Sequence, residues 1–163
     1  MSVLEAAKKI PYTVFTVANY TFGFPTTADV QLHFYERMTR NSQRNSWIKG
    51  GLLLEEEYIP VVDFKKVLGS PTPPTGILPR ILVIDTITQP VKLTVGLLIE
   101  RFIVNVYLSA DQIQESTSEI IPAIIGMVEL EHVGVMFLLN RARLFSLGEI
   151  RELLQYKNQA QAS

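Results

Sequence analysis

The sequence predicts a mainly β fold in which short strands close into two small barrels, followed by one C-terminal helix. Three observations carry this expectation. The apolar runs are short, rich in β-branched and aromatic residues, and bounded by turn residues. A stretch with Pro71, Pro73, Pro74, Gly76 and Pro79 divides the chain at 70–79, and the strand-like runs before it roughly match those after it. Only residues 144–156 place apolar side chains three and four apart, the helical period.

Each element follows in order. Residues 12–24 hold Tyr12, Val14, Phe15, Val17, Tyr20, Phe22 and Phe24, and read as a hairpin turning at 18–20. Pro25 has no N–H for a ladder and stops the second strand. Residues 26–34 read as a short helix, with Thr27 as cap and Val30 and Phe34 on one face. Residues 37–49 are polar, with Arg37, Arg40, Arg44 and Lys49 and no acid between them. This is an exposed loop that can also offer a basic contact to an acidic partner. Residues 52–54 form a strand. Glu55, Glu56 and Glu57 form a solvent-facing turn, because three like charges resist burial. Residues 58–64 form the next strand, and Pro60 places it at an edge or a strand start. Asp63 caps the turn at 64–67, and Asp85 looks equivalent.

Beyond the proline-rich stretch, runs at 80–85, 91–99 and 102–108 read as a three-stranded meander with a turn at 86–90. Ser109–Asp111 caps a short turn. Ser116 and Glu119 have helix-start spacing that Pro122 soon ends. Residues 124–130 and 133–139 form a last hairpin through Glu131 and His132. The helical stripe is Leu144, Leu147, Ile150, Leu153 and Leu154; Ser146 with Glu149 has capping-box spacing. The helix is placed at 146–157 and a frayed tail at 158–163.

Composition removes several functions. The chain of 163 residues has 47% hydrophobic and 19% charged residues, the balance of a globular domain. Fifteen basic residues against 16 acidic ones give a net charge of −1, without the broad positive field of a phosphate-backbone binder. There is no cysteine, hence no disulfide, thiol nucleophile or thiolate metal site. The two histidines, His33 and His132, lie near no nucleophile motif and form no zinc pattern. Gly50–Gly51 lacks the lysine and helix of a phosphate loop. Glu100 and Arg101 are expected to face water or pair locally. No catalytic, cofactor-binding or metal site is expected. The longest apolar runs are too short to span a bilayer and the first residues hold no apolar signal core, so a soluble, cytoplasmic protein is expected. A minor alternative is a β-barrel that binds single-stranded nucleic acid through Tyr35, Trp47 and the basic loop. Another is a general β-barrel interaction protein.

The run from Gly50 to Phe64, GGLLLEEEYIPVVDF, resembles the core signature of the CheW-like family, the bacterial chemotaxis coupling proteins. Gly50 matches the family's opening glycine. Pro60, Val61 and Asp63 match its Pro-Val-x-Asp-Leu strand, with Phe64 replacing leucine, and Leu68-Gly69 matches the apolar-Gly ending. Phe15 to Pro25 is similar to the first hairpin. Gly96-Leu97-Leu98-Ile99-Glu100-Arg101-Phe102 resembles the Gly-Leu-x-Val-Asp-x-Val strand, with Glu100 for aspartate. Ile125-Gly126 and Leu138-Leu139-Asn140 resemble the late landmarks.

The resemblance spans 12–145 and implies two pseudo-symmetric five-stranded β-barrels, with lobes at roughly 12–70 and 80–140 and strand exchange possible. It also implies a non-enzymatic adaptor. The partners would be the kinase's own domain of this fold, in a chemotaxis-type histidine kinase, and the cytoplasmic tip of a chemoreceptor. Pilus motility and phototaxis are settings in which relatives work. No membrane insertion is implied, although receptor arrays can place such a protein beside a membrane. Expected protein-binding residues are Leu52, Leu54, Val62, Phe64, Phe102 and Val104 for apolar walls, with Glu55, Glu56 and Arg101 at the rim. One departure matters: the family's Arg-Gly turn is Glu55-Glu56. Losing the glycine predicts another turn shape, and the acidic charge would oppose an ordinary receptor tip.

Overall fold

The computed structural model describes residues 8–43, 45–67, 76–86, 92–116, 118–119 and 121–162, with all their side chains except those of Lys66, Val67 and Val104. The proline-rich residues 70–75, the Leu68-Gly69 pair and the turn at 87–90 lie outside the described residues. Among the described residues twelve strands run β1 Lys9–Val17, β2 Tyr20–Pro25, β3 Gln31–Phe34, β4 Thr39–Arg40, β5 Ile48–Leu54, β6 Glu57–Asp63, β7 Arg80–Thr86, β8 Leu93–Ile99, β9 Arg101–Ser109, β10 Gln114–Glu115, β11 Ile124–Leu130 and β12 Gly134–Leu139. A one-turn helix α1, Phe64–Val67, follows β6, and α2, Leu147–Ala162, ends the chain.

Two curled sheets result, in the orders β10-β11-β12-β2-β1-β9 and β3-β7-β8-β6-β5-β4. Each has five strands longer than two residues, plus a two-residue sixth, β10 or β4. Reversing the second order superposes the pattern on the first. A meander joins a hairpin through one parallel pair, β12 with β2 or β6 with β8, and an antiparallel strand closes the far side. Each sheet draws strands from both sides of the 70–79 stretch. The hairpin β1–β2 joins β9–β12, and β7–β8 joins β3–β6.

Burial follows the strand period. Tyr12 and Val14 face the interior of their own sheet, with Leu108, Val128, Met136 and Leu138. Phe15, Val17, Phe22 and Phe24 face the other way, into a core shared by both sheets. Val61 and Ile81 lie inside the second sheet, while Val62 and Leu82 join the shared core. Strands buried on both faces need apolar residues at consecutive positions, which is why these runs are nearly continuous rather than alternating. At the centre Phe15, Phe22 and Phe64 meet edge to face or tilted, with ring centroids 5.3–5.9 Å apart.

Four sequence expectations are corrected. Residues 31–34 form β3, not a helix: Thr27 Oγ1 bonds Asp29 and accepts from Arg141 at 2.9 Å instead of capping, and Leu32 packs on the shared core. The third run of the expected meander leaves its sheet. At buried Glu100 the backbone N–H donates to Thr16 O at 2.8 Å, and β9 continues along β1. The described residues of 116–123 form no helix; Ser118 Oγ instead accepts from Ile121 N–H at 3.0 Å. The C-terminal helix runs to Ala162, so no frayed tail begins at 158. Its start is as expected, with Ser146 N–H donating to Glu149 Oε1 at 2.8 Å and Glu149 N–H to Ser146 Oγ at 3.2 Å.

Pro60 lies in an inner strand rather than an edge one. Counting from the β5–β6 turn, bonded pairs alternate, so Pro60 opposite Gly51 needs no N–H toward β5. On the β8 side pairing begins only at Val61, so no ladder bond is lost there either.

Candidate protein-binding surface

The β5–β6 turn contains two residues, Glu55 and Glu56, between the paired Leu54 and Glu57. Both are left-handed, with φ of 48° and 69°. That is the tight hairpin turn whose twist suits the strands. The expected change of turn shape is therefore overturned: glutamates occupy a conformation that favours glycine or asparagine. Ala18 and Asn19 do the same between β1 and β2, with φ of 55° and 68°.

Glu55 and Glu56 are exposed, and Leu53 before them is 59% exposed. Leu54 is half-buried against the second sheet's interior. Glu57 pairs with Lys157 of α2, and Trp47 Nε1 donates to Glu152 Oε2 at 2.6 Å while its ring packs at a tilt against Phe145, centroids 5.9 Å apart. With Ile150 and Leu153 buried in the shared core, these contacts seat α2 beside β5 and β6. The helix therefore docks on its own body and forms one border of this surface.

Leu52, Val62 and Phe64 were expected to line a binding wall, and the structure corrects this. They are 1%, 0% and 0% exposed and belong to the cores. Leu53, between the two leucines chosen from the sequence, holds the outward position. Alternation away from the turn was the signal for it, since Leu52 and Leu54 share one face and Leu53 takes the other.

Arg101 and Phe102 open β9 on the other sheet, opposite Thr16 and Phe15 of β1. Arg101 is exposed and Phe102 half-buried against the shared core. Val104 lies in the same strand, and its side chain is outside the described residues. Glu100 beside them, expected to face water or to pair locally, does not face water. It is 9% exposed, and its Oε1 accepts from Asn19 N–H at 3.4 Å. Among the described residues no ion pair joins Arg101 to Glu55 or Glu56. The predicted residues thus form two groups, one on each sheet.

A charged knot that the sequence reading missed ties together three distant parts of the chain. Buried Arg141 reaches Asp29 Oδ2 at 2.8 Å, Asp85 O at 3.2 Å and Thr27 Oγ1 at 2.9 Å, above the ring of Phe24 at 5.2 Å. Burial alone raises the Asp29 carboxyl. Hydrogen bonds from Thr27 and the Asp85 N–H, with the Arg141 charge, outweigh it and hold the group below its ordinary value. Asp85 accepts from Thr94 Oγ1 at 2.6 Å and pairs with Lys92, so it braces β7 against β8; the turn residues 87–91 beyond it lie outside the described residues. Asp63 does cap, accepting from Lys65 N–H at 3.0 Å. His33 bonds Gln31 at 3.0 Å, and burial with nearby Arg37 lowers its pKa.

Among the described residues no group of three or more metal-ligating side chains clusters, and no helix is long and apolar enough to cross a membrane. Open grooves lie beside the short edge strands β4 and β10. One of about 740 Å³ is lined by Met38, Arg40, Lys49 and Leu98 among others; one of about 450 Å³ is lined by Tyr12, Ile113, Glu115, Ile125 and Leu138 among others.

Comparison with known proteins agrees with this architecture. The crystal structure of the scaffolding protein TtCheW from Thermoanaerobacter tengcongensis superposes with a TM-score of 0.68 at 19% identity, covering 87% of this chain and 96% of that one. At that identity the likeness shows the fold. A search of curated proteins gives no match. The CheW-like domain family matches residues 11–149, which take in both sheets and the start of α2. The chain belongs to the CheW-like domain family.

Proposed function

We propose that this protein is a non-enzymatic adaptor that couples a chemotaxis-type histidine kinase to receptor tips, in a chemosensory, pilus-motility or phototaxis pathway. The observation that carries the reading is the family match across both sheets, 11–149. The outward surface supports it. Leu53, Leu54, Glu55 and Glu56 on one sheet, and Arg101 and Phe102 on the other, combine partly exposed apolar side chains with charged neighbours. Such a mixture suits contacts in which apolar area gives affinity and charge chooses the partner. The kinase would contribute its own domain of this fold and the receptor a helical tip. The acidic turn favours a receptor tip with basic or neutral residues at the contact. The site of action would be the cytoplasm, beside receptor arrays.

Affinity capture from native cells, followed by mass spectrometry, tests the reading. The expected result is enrichment of a multidomain histidine kinase or of receptor cytoplasmic domains, reduced when Leu53→Asp is used as bait. Capture that repeatedly enriches neither class contradicts it.

A further inference from the structure

The two sheets end in four strands, and one of these is unlike the rest. β10 and β4 have two residues each and β3 has four, whereas β9 has nine. Short edge strands are one way in which folded proteins keep their sheets from adding further strands. β9 lacks that protection, and its sequence, RFIVNVYLS, holds no proline, glycine or lysine. Among the described residues its backbone pairs with β1 alone, so its outer row of N–H and C=O groups meets no other strand. Its side chains alternate through a bulge. Ile103, Val106 and Leu108 pack inside the first sheet, while Phe102 leans on the shared core and Tyr107, opposite Pro11, is 58% exposed. The register shift between Tyr12 and Val14 leaves Val104 and Asn105 opposite the single residue Thr13.

We propose that β9 pairs antiparallel with β9 of a second copy, so that the first sheets of the two copies become one continuous sheet across a two-fold axis. The bulge decides which register fits. With the axis between Val104 and Asn105, Phe102 of each copy lies opposite Tyr107 of the other on the outer face, and Ile103 opposite Val106 on the inner one. Strict alternation would put 102 and 107 on opposite faces; the extra residue puts them on the same face. Aromatic and β-branched cross-strand pairs of this kind favour a sheet. The one charge in the strand is Arg101, and antiparallel pairing sets it at the end where Asp111 of the other copy stands exposed. Among the described residues neither side chain takes part in a salt bridge. This match of the strand to itself selects a second copy as the occupant, joined by strand addition. The contact is isologous, so it closes at a dimer. It needs no kinase or receptor, so it stands or falls separately from the adaptor reading.

Sedimentation velocity over a concentration series reaching the millimolar range tests it, together with crosslinking. The wild-type chain is expected to pass reversibly between monomer and dimer, with no larger species. Tyr107→Lys puts a charge where the aromatic pair forms and is expected to weaken the dimer about tenfold or more. Tyr107 is exposed, and an unchanged melting curve establishes that the variant folds. The chain has no cysteine, so a single introduced thiol reports its own surroundings. Asn105→Cys, beside the axis, is expected to give a disulfide-linked dimer under mild oxidation, whereas Val135→Cys on β12, 48% exposed, is expected to give none. A wild type that stays monomeric throughout the series overturns the proposal. So do polymers beyond the dimer, a dimer indifferent to Tyr107→Lys, and an Asn105→Cys variant that crosslinks no faster than Val135→Cys.

Discussion

Arg141, in the turn after β12, donates to Asp29 Oδ2 at 2.8 Å, joining residues 112 positions apart in the chain. Asp29 in turn accepts from the Asp85 backbone N–H of β7 at 2.9 Å. A single ion pair thus fastens the end of the last hairpin, the link before β3 and a strand of the second sheet. The guanidinium is 7% exposed and the carboxylate 24%, so neither partner is fully compensated by water once the other is gone.

Replacing Arg141 by alanine should destabilise the fold by about 2–3 kcal/mol, less than a fully buried pair because Asp29 keeps some solvent. In a domain of this size that lowers Tm by roughly 5–10 °C. Arg141→Lys should recover only part of the loss, since an ammonium cannot fork between Asp29, Thr27 and the Asp85 carbonyl. Thermal unfolding followed by circular dichroism measures both.

Asp29 titrates below its ordinary value of 3.8 in the fold. A depressed carboxyl adds stability that is fully present above the unfolded value and is lost as pH falls through the folded one. Urea unfolding at pH 7 and at successive values below 4 should therefore show a steeper acid loss in the wild type than in Asp29→Asn. Equal slopes would remove Asp29 as a source of acid sensitivity.

The Glu55–Glu56 turn holds two side-chain-bearing residues at positive φ. That conformation disfavours L-residues by roughly 1–2 kcal/mol each. Changing the pair to Asn-Gly should stabilise the protein by about 1–2 kcal/mol, read as a higher urea midpoint with an unchanged slope. If the pair contributes to partner choice, the same variant loses binding while gaining stability.

Gly50 and Gly126 are equivalent in the two sheets but unequal in room. A Cβ on Gly50 would lie 2.2 Å from Thr39 O, and one on Gly126 3.1 Å from Gln114 O. Gly50→Ala should thus push β4 off β5, while Gly126→Ala is accommodated by a small shift. The predicted order in loss of Tm is Gly50→Ala well ahead of Gly126→Ala.

Much of the fold was legible because burial on both faces leaves a local mark. The apolar runs that became β6, β7 and β8 were found within a residue or two, and the Ser146–Glu149 cap placed the start of α2. What escaped was decided by distant partners. Residues 31–34 look amphipathic in isolation, and only β7 makes them a strand. Nothing near Arg141 announces that its carboxylate lies at Asp29. The departure of β9 at Glu100 depends on β1 being in reach. Among surface residues, Glu55, Glu56 and Arg101 were legible from charge. Leu52, Val62 and Phe64 were misassigned because an apolar residue in a two-sided strand reads alike whether it faces a core or a partner.

Titration calorimetry of this chain with the isolated CheW-like domain of a chemotaxis-type kinase from the same cell tests the central claim most directly. The account predicts saturable one-to-one binding that Leu53→Asp or Phe102→Ala weakens without lowering the melting temperature of the chain enough to unfold it. Absence of binding to that domain, and to receptor tips titrated in the same way, contradicts it.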